Sequence, residues 1–373
     1  METARPRSPT WVVSEVRERS AFVALEPEWN ALVAETDDQL FYRHEFIRTW
    51  IDNFAANATM RVLTARDDEG RLEATLPLVE RKASMYGVPV REISGAANAH
   101  SCRFDLIARE PEIAARAFVD WLRADRTWDV LRITDVADGG KAWHVMEAAQ
   151  RCGMPVGTRE SLQSPYVPLP PSHDGLLARL DAKFKANCRR RRRKLEERGC
   201  VTLERVTSAA DLDRYLEEGY GLEASGWKGR DGSAIAQDKA TRGFYTELAR
   251  NAAHAGRLSL CFLRLDGRAV AFHYALEHGG RYLLLKPGYD EALRECSPGQ
   301  LLMDEVLKDC INRKLTEFDF LGPDMPWKRD WTDLTRKHTW LFVFQNTAVG
   351  RALRAAKFKW VPAARKVVER WSK

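Results

Sequence analysis

YLLLKPGYDEALRECSPGQLLMDEVLKDCINRKLTEFDFLG, residues 282–322, reads as a strand, a turn at Ser297-Pro298-Gly299-Gln300, a helix over Gly299–Arg313 and a second strand, Thr316–Phe320. Ser297 has the chemistry of an N-cap and Pro298 that of a first helical residue. Gln300, three places on from Ser297, completes a capping box. Gly299 leaves no side chain over the helix start, where free N–H groups and the helix dipole favour an anion, commonly a phosphate. Leu301, Leu302, Val306, Leu307, Cys310 and Ile311 form the apolar face of this helix, and the strand after it carries one acid, Asp319, between Phe318 and Phe320.

The chain has 373 residues, 45% hydrophobic and 30% charged, which suits two soluble domains with full cores. No apolar run approaches the ~20 residues of a membrane span, and Met1–Pro9 lacks the apolar region of a signal peptide. The seven cysteines are scattered, without metal-finger spacing or a disulfide framework, so no metal site is expected and a reducing cytoplasm is the expected location. The net charge of +6 hides two basic segments. Arg179–Arg198 holds ten Lys/Arg against three Asp/Glu and Arg351–Lys373 eight against one, +7 in each, which leaves −8 on the remainder. Such a distribution points to local binding of an anion or an anionic surface.

Two hairpins look alike, Arg61–Ala65 with Leu72–Val79 and Leu258–Leu265 with Ala269–Leu276, the latter through Asp266-Gly267. Each follows two helical segments, Phe22–Glu35 and Arg43–Phe54 in one half, Leu212–Ser225 and Thr241–Ala255 in the other. Each is followed by a third strand and a helix–strand pair, Glu112–Arg123 with Val130–Thr134 and Gly299–Arg313 with Thr316–Phe320. The chain therefore reads as two copies of one unit, and the alternative is two unrelated α+β domains. The expected division is an N-terminal domain over 10–165, a proline-rich linker and long basic helix (Asp174–Arg198) within 166–199, a C-terminal domain over 200–346 and a basic helix over 347–373.

This element order resembles the GNAT acyltransferase fold. Gly288-Tyr289-Asp290, Ser297-Pro298-Gly299, Asp319-Phe320-Leu321-Gly322 and Trp327-Lys328-Arg329-Asp330-Trp331 resemble the C-terminal signature of the CelD-like acetyltransferases. These are tandem-GNAT proteins named for cellulose biosynthesis and related to Fem-type aminoacyl-tRNA-dependent transferases. Glu223–Gly229, the arginine-rich helix and Phe41–Phe46 extend the resemblance over nearly the whole chain. It implies an α/β (α+β) protein of two tandem GNAT-like domains, each a mixed, mostly antiparallel sheet flanked by helices. It also implies acetyl-CoA or another acyl-CoA as co-substrate, with no permanently bound cofactor. The family's Arg/Gln-x-x-Gly-x-Gly/Ala pyrophosphate loop is not matched, since Glu295–Gln300 stands in its place.

The candidate site follows, each residue with its alternative. Ser297, Gly299, Gln300 and Leu301 form a pyrophosphate cradle of backbone amides, or a plain capped helix. Leu284 and Leu285 lie on the strand that the resemblance makes the holder of the thioester carbonyl through a backbone N–H, acting as an oxyanion hole. Asp319 is a general base, or a structural acid capping the Leu321–Asp324 turn or pairing with Lys328. Glu223 accepts the acceptor's proton, or is a solvated helix-end acid. Tyr289 protonates the leaving thiolate, or packs with a satisfied hydroxyl. Lys328 binds a donor phosphate or an anionic acceptor group. Trp227 and Lys228 wall the acceptor, Trp227 by stacking. Arg189 and Arg192, in a run whose consecutive positions encircle the helix, hold an anionic acceptor or simply solubilise it. The first copy has no counterpart of Ser297–Gly299 and is expected to shape the acceptor side.

The function expected is acyl transfer, most simply acetyl, by direct attack of an amine or hydroxyl of a sugar or cell-envelope/polysaccharide precursor on the thioester. A Fem-like aminoacyl-tRNA-dependent transferase, with tRNA as the only nucleic-acid partner considered, is one alternative. A non-catalytic anion-binding accessory protein of polysaccharide assembly is another. Peripheral membrane contact through the basic tail is a minor reading beside a docked terminal helix.

Overall fold

The computed structural model describes residues 11–225 and 234–363. Trp227 and Lys228, proposed above for the acceptor, lie outside the described residues. The chain forms two units, one reaching to Ser161 and resuming at His338, the other running Leu162–Lys337. The expected linker and basic helix therefore belong to the second unit. Residues from His338 onward, expected in the C-terminal domain and tail, belong to the first, because a C-terminal strand completes its sheet.

The first unit holds β1 (Val12–Val16), β2 (Thr59–Met60), β3 (Val62–Arg66), β4 (Leu72–Leu76), β5 (Leu78–Met85), β6 (Val88–Gly95), β7 (Ile107–Ala108) and β8 (Val130–Ala137). Its helices are α1 (Arg19–Ala24), α2 (Glu26–Thr36), α3 (His44–Phe54), α4 (Pro111–Ala124) and α5 (Trp143–Arg151). Strand β9 (Val156–Pro168) ends in the second unit, which continues with α6 (His173–Arg179), α7 (Ala182–Glu196), β10 (Val201–Val206), α8 (Leu212–Ala224), α9 (Lys239–His254), β11 (Leu258–Leu265), β12 (Arg268–His278) and β13 (Arg281–Tyr289). There follow α10 (Pro298–Asn312), β14 (Glu317–Asp319), α11 (Pro326–Arg329), β15 (Thr335–Phe344), whose later part joins the first unit, and α12 (Ala348–Ala355).

The first unit contains an antiparallel sheet ordered β1-β3-β4-β7 and a second ordered β15-β8-β6-β5-β2. In the second unit the order is β10-β11-β12-β13-β14-β9. Both units place one parallel pair, β6 with β8 and β13 with β14, in an otherwise antiparallel sheet. A helix, α4 or α10, makes each crossover, as parallel neighbours require. The expected mixed, mostly antiparallel sheets flanked by helices are present. The copies differ where the sequence differed: residues 96–110, including β7, intervene between β6 and α4.

Local chemistry accounts for the second unit. Asp266 and Gly267 take φ of 47° and 80°, the left-handed pair of a tight hairpin turn, and join β11 to β12. Buried α10 residues, among them Leu301, Leu302, Val306 and Cys310, pack in one core with Cys261, Leu263, Ala271 and Ala275 of β11 and β12. On β12, Phe272 meets Gly219 of α8, where any Cβ would stand 2.4 Å from the ring. The Tyr274 hydroxyl donates to the Tyr245 carbonyl of α9 at 2.7 Å. The predicted continuous helix Asp174–Arg198 is broken, because Leu180 is extended and Asp181 starts α7 by accepting the Phe184 N–H at 2.9 Å.

Candidate functional site

Strand β13 is longer than its parallel partner. The two pair at Arg281–Glu317, Tyr282–Phe318 and Leu283–Asp319, where β14 ends. Strand β13 runs on to Tyr289, still paired with β12 on its other edge. Tyr274 faces Lys286 and Ala275 faces Leu284, so Leu285 is an extra residue in a β-bulge. The predicted Leu284–Leu285 segment thus sits where β13 parts from β14.

Helix α8 lies close over this free stretch. A Cβ on Gly288 would fall 2.7 Å from the backbone N and Cα of Glu223. Ser225, just past α8, donates its hydroxyl to the Tyr289 carbonyl at 3.1 Å. Glu223 is buried rather than a solvated helix-end acid, and one carboxylate oxygen accepts the Ile235 N–H at 2.9 Å. Tyr289 is exposed, with its ring 3.5 Å from the position a Gly299 Cβ would occupy. The structure therefore brings Glu223, Gly288, Tyr289 and Gly299 together.

The start of α10 is not the predicted capping box. Ser297 takes φ 45°, ψ 58° and its side chain makes no cap bond; its hydroxyl donates to the Arg294 carbonyl at 3.3 Å. The preceding turn, Glu291–Cys296, ends on this residue and forces the left-handed conformation. Pro298 has no N–H, and the Gln300 and Leu301 amides both donate to the Ser297 carbonyl, at 3.0 and 3.2 Å. The expected multi-amide cradle shrinks to the Gly299 N–H. Gln300 instead spans to the loop after α11, donating to the Trp327 carbonyl at 3.2 Å and Asp330 at 3.1 Å and accepting from the Trp331 indole at 2.6 Å.

The left-handed Ser297 restores a register missed above. Arg294-x-x-Ser297-x-Gly299 has the spacing of the Arg/Gln-x-x-Gly-x-Gly/Ala loop, with Ser297 at the glycine position, in a conformation that glycine ordinarily supplies. Arg294 is exposed and, among the described residues, its side chain has no ion pair. The signal was legible in the spacing but hidden by the serine.

At the end of β14, Asp319 is fully buried and accepts the Leu321 N–H at 2.9 Å and an Arg336 N–H at 3.1 Å. These contacts fit the turn-capping alternative, with Arg336 in place of Lys328 as ionic partner. Lys328 is buried as well. Its ammonium donates to the Leu321 and Pro323 carbonyls at 2.5 and 2.8 Å, so it holds a turn and does not reach outward for a phosphate as expected. That turn contains Leu321 and Gly322 at φ 47° and 55°; a non-glycine residue so placed stores about 1–3 kcal/mol of strain.

The basic helix sorts itself into two sides on folding. Arg192 ion-pairs with Glu196 and Glu305, and Lys194 and Arg198 with Glu295. Arg192 is thereby neutralised, contrary to its expected substrate role. Leu195, Cys188 and Phe184 lie on the packed side, where the Phe184 ring meets Trp331 at 5.1 Å. The five consecutive arginines point around the helix, but Arg191 and Arg192 are half-buried, while Lys183, Arg189, Arg190 and Arg193 are exposed and at ~100° per residue share one face. Burial pushes the Cys188 and Cys261 thiols up to about 11 and raises that of Cys310 as well, which disfavours a thiolate at each of the three.

Residues 182–329 match the model of the acetyltransferase (GNAT) domain. FemX superposes with a TM-score of 0.56 at 12% identity over 88% of this chain and 98% of that one. The C-terminal domain of a putative lysylphosphatidylglycerol synthetase from Agrobacterium fabrum superposes with a TM-score of 0.53 at 11% identity, covering 90% of this chain and 96% of that one. L-PGS from Bacillus licheniformis gives 0.53 at 10% identity over 91% and 96%. No curated protein matches in sequence. At these identities the likeness is one of fold. Residues 182–329 thus match a GNAT acetyltransferase domain, in a chain that shares its fold with FemX, the Agrobacterium fabrum domain and L-PGS.

Proposed function

We propose that the protein is a CelD-like acyl-CoA-dependent acyltransferase acting by direct attack, with an amine or hydroxyl of a sugar or polysaccharide precursor as acceptor. The observation that carries this reading is the edge of β13 beyond Leu283, with the Arg294–Gly299 turn at one end and Glu223 packed on Gly288. The acyl-CoA pyrophosphate lies at the Gly299 N–H and Arg294, and the thioester carbonyl at the Leu284–Leu285 backbone. Glu223 takes the proton of the attacking group as the new bond forms at the carbonyl carbon. The carbon–sulfur bond then breaks and Tyr289 returns a proton to the thiolate. Burial disfavours the Cys188 and Cys261 thiolates, so neither is a ready acyl-enzyme nucleophile. Isothermal titration with acetyl-CoA tests the donor site. Wild type binds and Arg294→Glu binds at least tenfold more weakly; equal affinities overturn the assignment.

A second reading is favoured by one observation, the exposed Lys183, Arg189, Arg190 and Arg193 face combined with a single free amide at the α10 start. It makes the donor an aminoacyl-tRNA whose phosphates lie along α7. A steep salt dependence of tRNA binding that flattens in Arg189→Gln/Arg193→Gln supports it, and a flat wild-type slope excludes it.

A further inference from the structure

A second cationic cluster lies in the first unit, on the face of β8 and β15 that α12 covers. Phe342, Phe344, Val90, Val130 and Leu353 form a small core there. After α12 the chain makes a wide turn, Ala356–Trp360, that sets Phe358 edge-on to Phe342 at 5.7 Å. It leaves room only for glycine at 157, where a Cβ would fall 2.3 Å from the Phe358 ring. The same turn places the Lys357 ammonium 4.4 Å from the Phe342 ring centre. Arg132 and Arg159 both approach the Trp340 ring, at 5.7 and 5.5 Å.

Charge is unbalanced here. Glu92 meets Arg132 at 2.6 Å. Among the described residues neither Arg159 nor Lys357 has an ion pair or a hydrogen bond, and the Arg132 Nε is buried without a partner. Three cations thus face two carboxylates, Glu92 on Arg132 and Asp135, which accepts the Trp340 indole N–H at 3.0 Å, while aromatic faces hold Arg159 and Lys357. Burial, then Arg159 and Arg132, lower the Lys357 pKa, with Glu92 opposing. Partly desolvated charge without a counter-ion is costly, and an anion between these groups removes the cost.

The surroundings favour a lipid over a soluble anion. Trp360 is 60% exposed, and Lys359 beside it is exposed. Met85 and Ala83 pack against the same small core. They lead to a hairpin tip where Tyr86 and Val88 are 51% and 42% exposed. Exposed aromatics beside Lys and Arg are the composition of a surface that enters a bilayer interface.

We propose that Arg132, Arg159 and Lys357 hold the phosphate of an anionic lipid headgroup, while Trp360 and the Tyr86–Val88 tip enter the interfacial layer, docking the first unit on an anionic bilayer. The test is co-sedimentation of the full chain with phosphatidylcholine vesicles, with and without phosphatidylglycerol. Wild type sediments with the anionic vesicles only. Arg159→Gln and Lys357→Gln each weaken this about fivefold, whereas Arg159→Lys retains it. Quenching of tryptophan fluorescence by brominated anionic lipid occurs in wild type and falls in Trp360→Ala. Circular dichroism melts identify any variant that fails to fold, and for such a variant the quenching of the wild-type protein decides. Equal sedimentation with neutral vesicles, or unchanged binding by folded Arg159→Gln and Lys357→Gln, overturns the proposal. Tight binding of soluble glycerol phosphate without vesicle binding overturns the lipid assignment.

Discussion

Replacing Gly288 by alanine perturbs the proposed site at one point of backbone contact. The new Cβ would meet the N and Cα of Glu223 at 2.7 Å. Ordinary van der Waals contact begins near 3.4 Å, so α8 and β13 must separate by about 0.7 Å, and neither partner is a flexible side-chain end. Overpacking of this kind costs about 1–3 kcal/mol. Glu223 moves with its backbone, and a displacement approaching 1 Å can lower turnover about 10²-fold. Gly221→Ala, on the same helix, is the matched control, because its Cβ would meet nothing within 4 Å. Acetyl transfer to an acceptor found by substrate screening, measured beside urea denaturation, should show a large loss in kcat for Gly288→Ala and little change for Gly221→Ala. Wild-type kcat in Gly288→Ala would refute the idea that the α8–β13 approach positions the base.

Glu223→Gln keeps an acceptor for the Ile235 N–H but loses the base; kcat should fall about 10²–10⁴-fold, with the loss recovered partly at high pH. In Lys328→Met the buried Leu321 carbonyl and the Pro323 carbonyl lose their donor, so stability should drop about 1–3 kcal/mol while acetyl-CoA affinity in the folded protein is unchanged. An affinity loss without a stability loss would instead restore a phosphate role for Lys328. His273 is buried on β12, and burial lowers its pKa from 6.5 to about 3. Its folded pKa lies below its unfolded one, so its stabilising contribution is complete above about pH 6.5 and is lost as pH falls toward about 3. Between pH 7 and 4.5 the wild type should lose about 3 kcal/mol more than His273→Leu in urea titrations, at about 1.4 kcal/mol per pH unit. Parallel pH profiles of the two proteins would contradict this.

Much of the fold was legible in residues 282–322. Apolar alternation, the Asp266-Gly267 turn and helical spacing in α10 are local signals, set by backbone sterics and side-chain periodicity within a few residues. Repetition of the hairpin and crossover exposed the two-unit plan for the same reason. The division of the chain was less legible, since β15 carries its later residues into the first unit and no local feature marks which sheet a late strand will join.

The chemistry of the site divided along the same line. Sequence by itself determined that a helix starts near Pro298 beside an anion-compatible glycine, and that Glu223, Tyr289 and Asp319 are present at motif spacing. Only the tertiary structure decided which of these groups face the open edge of β13. It turned Lys328 and Gln300 inward onto a strained turn and its neighbouring loop, gave Asp319 an unforeseen partner in Arg336, and neutralised Arg192 with Glu305. Hydrogen bonds between residues far apart in sequence select one rotamer and one partner from the several that local spacing allows. A side chain's availability for chemistry is therefore settled by contacts that sequence spacing does not encode.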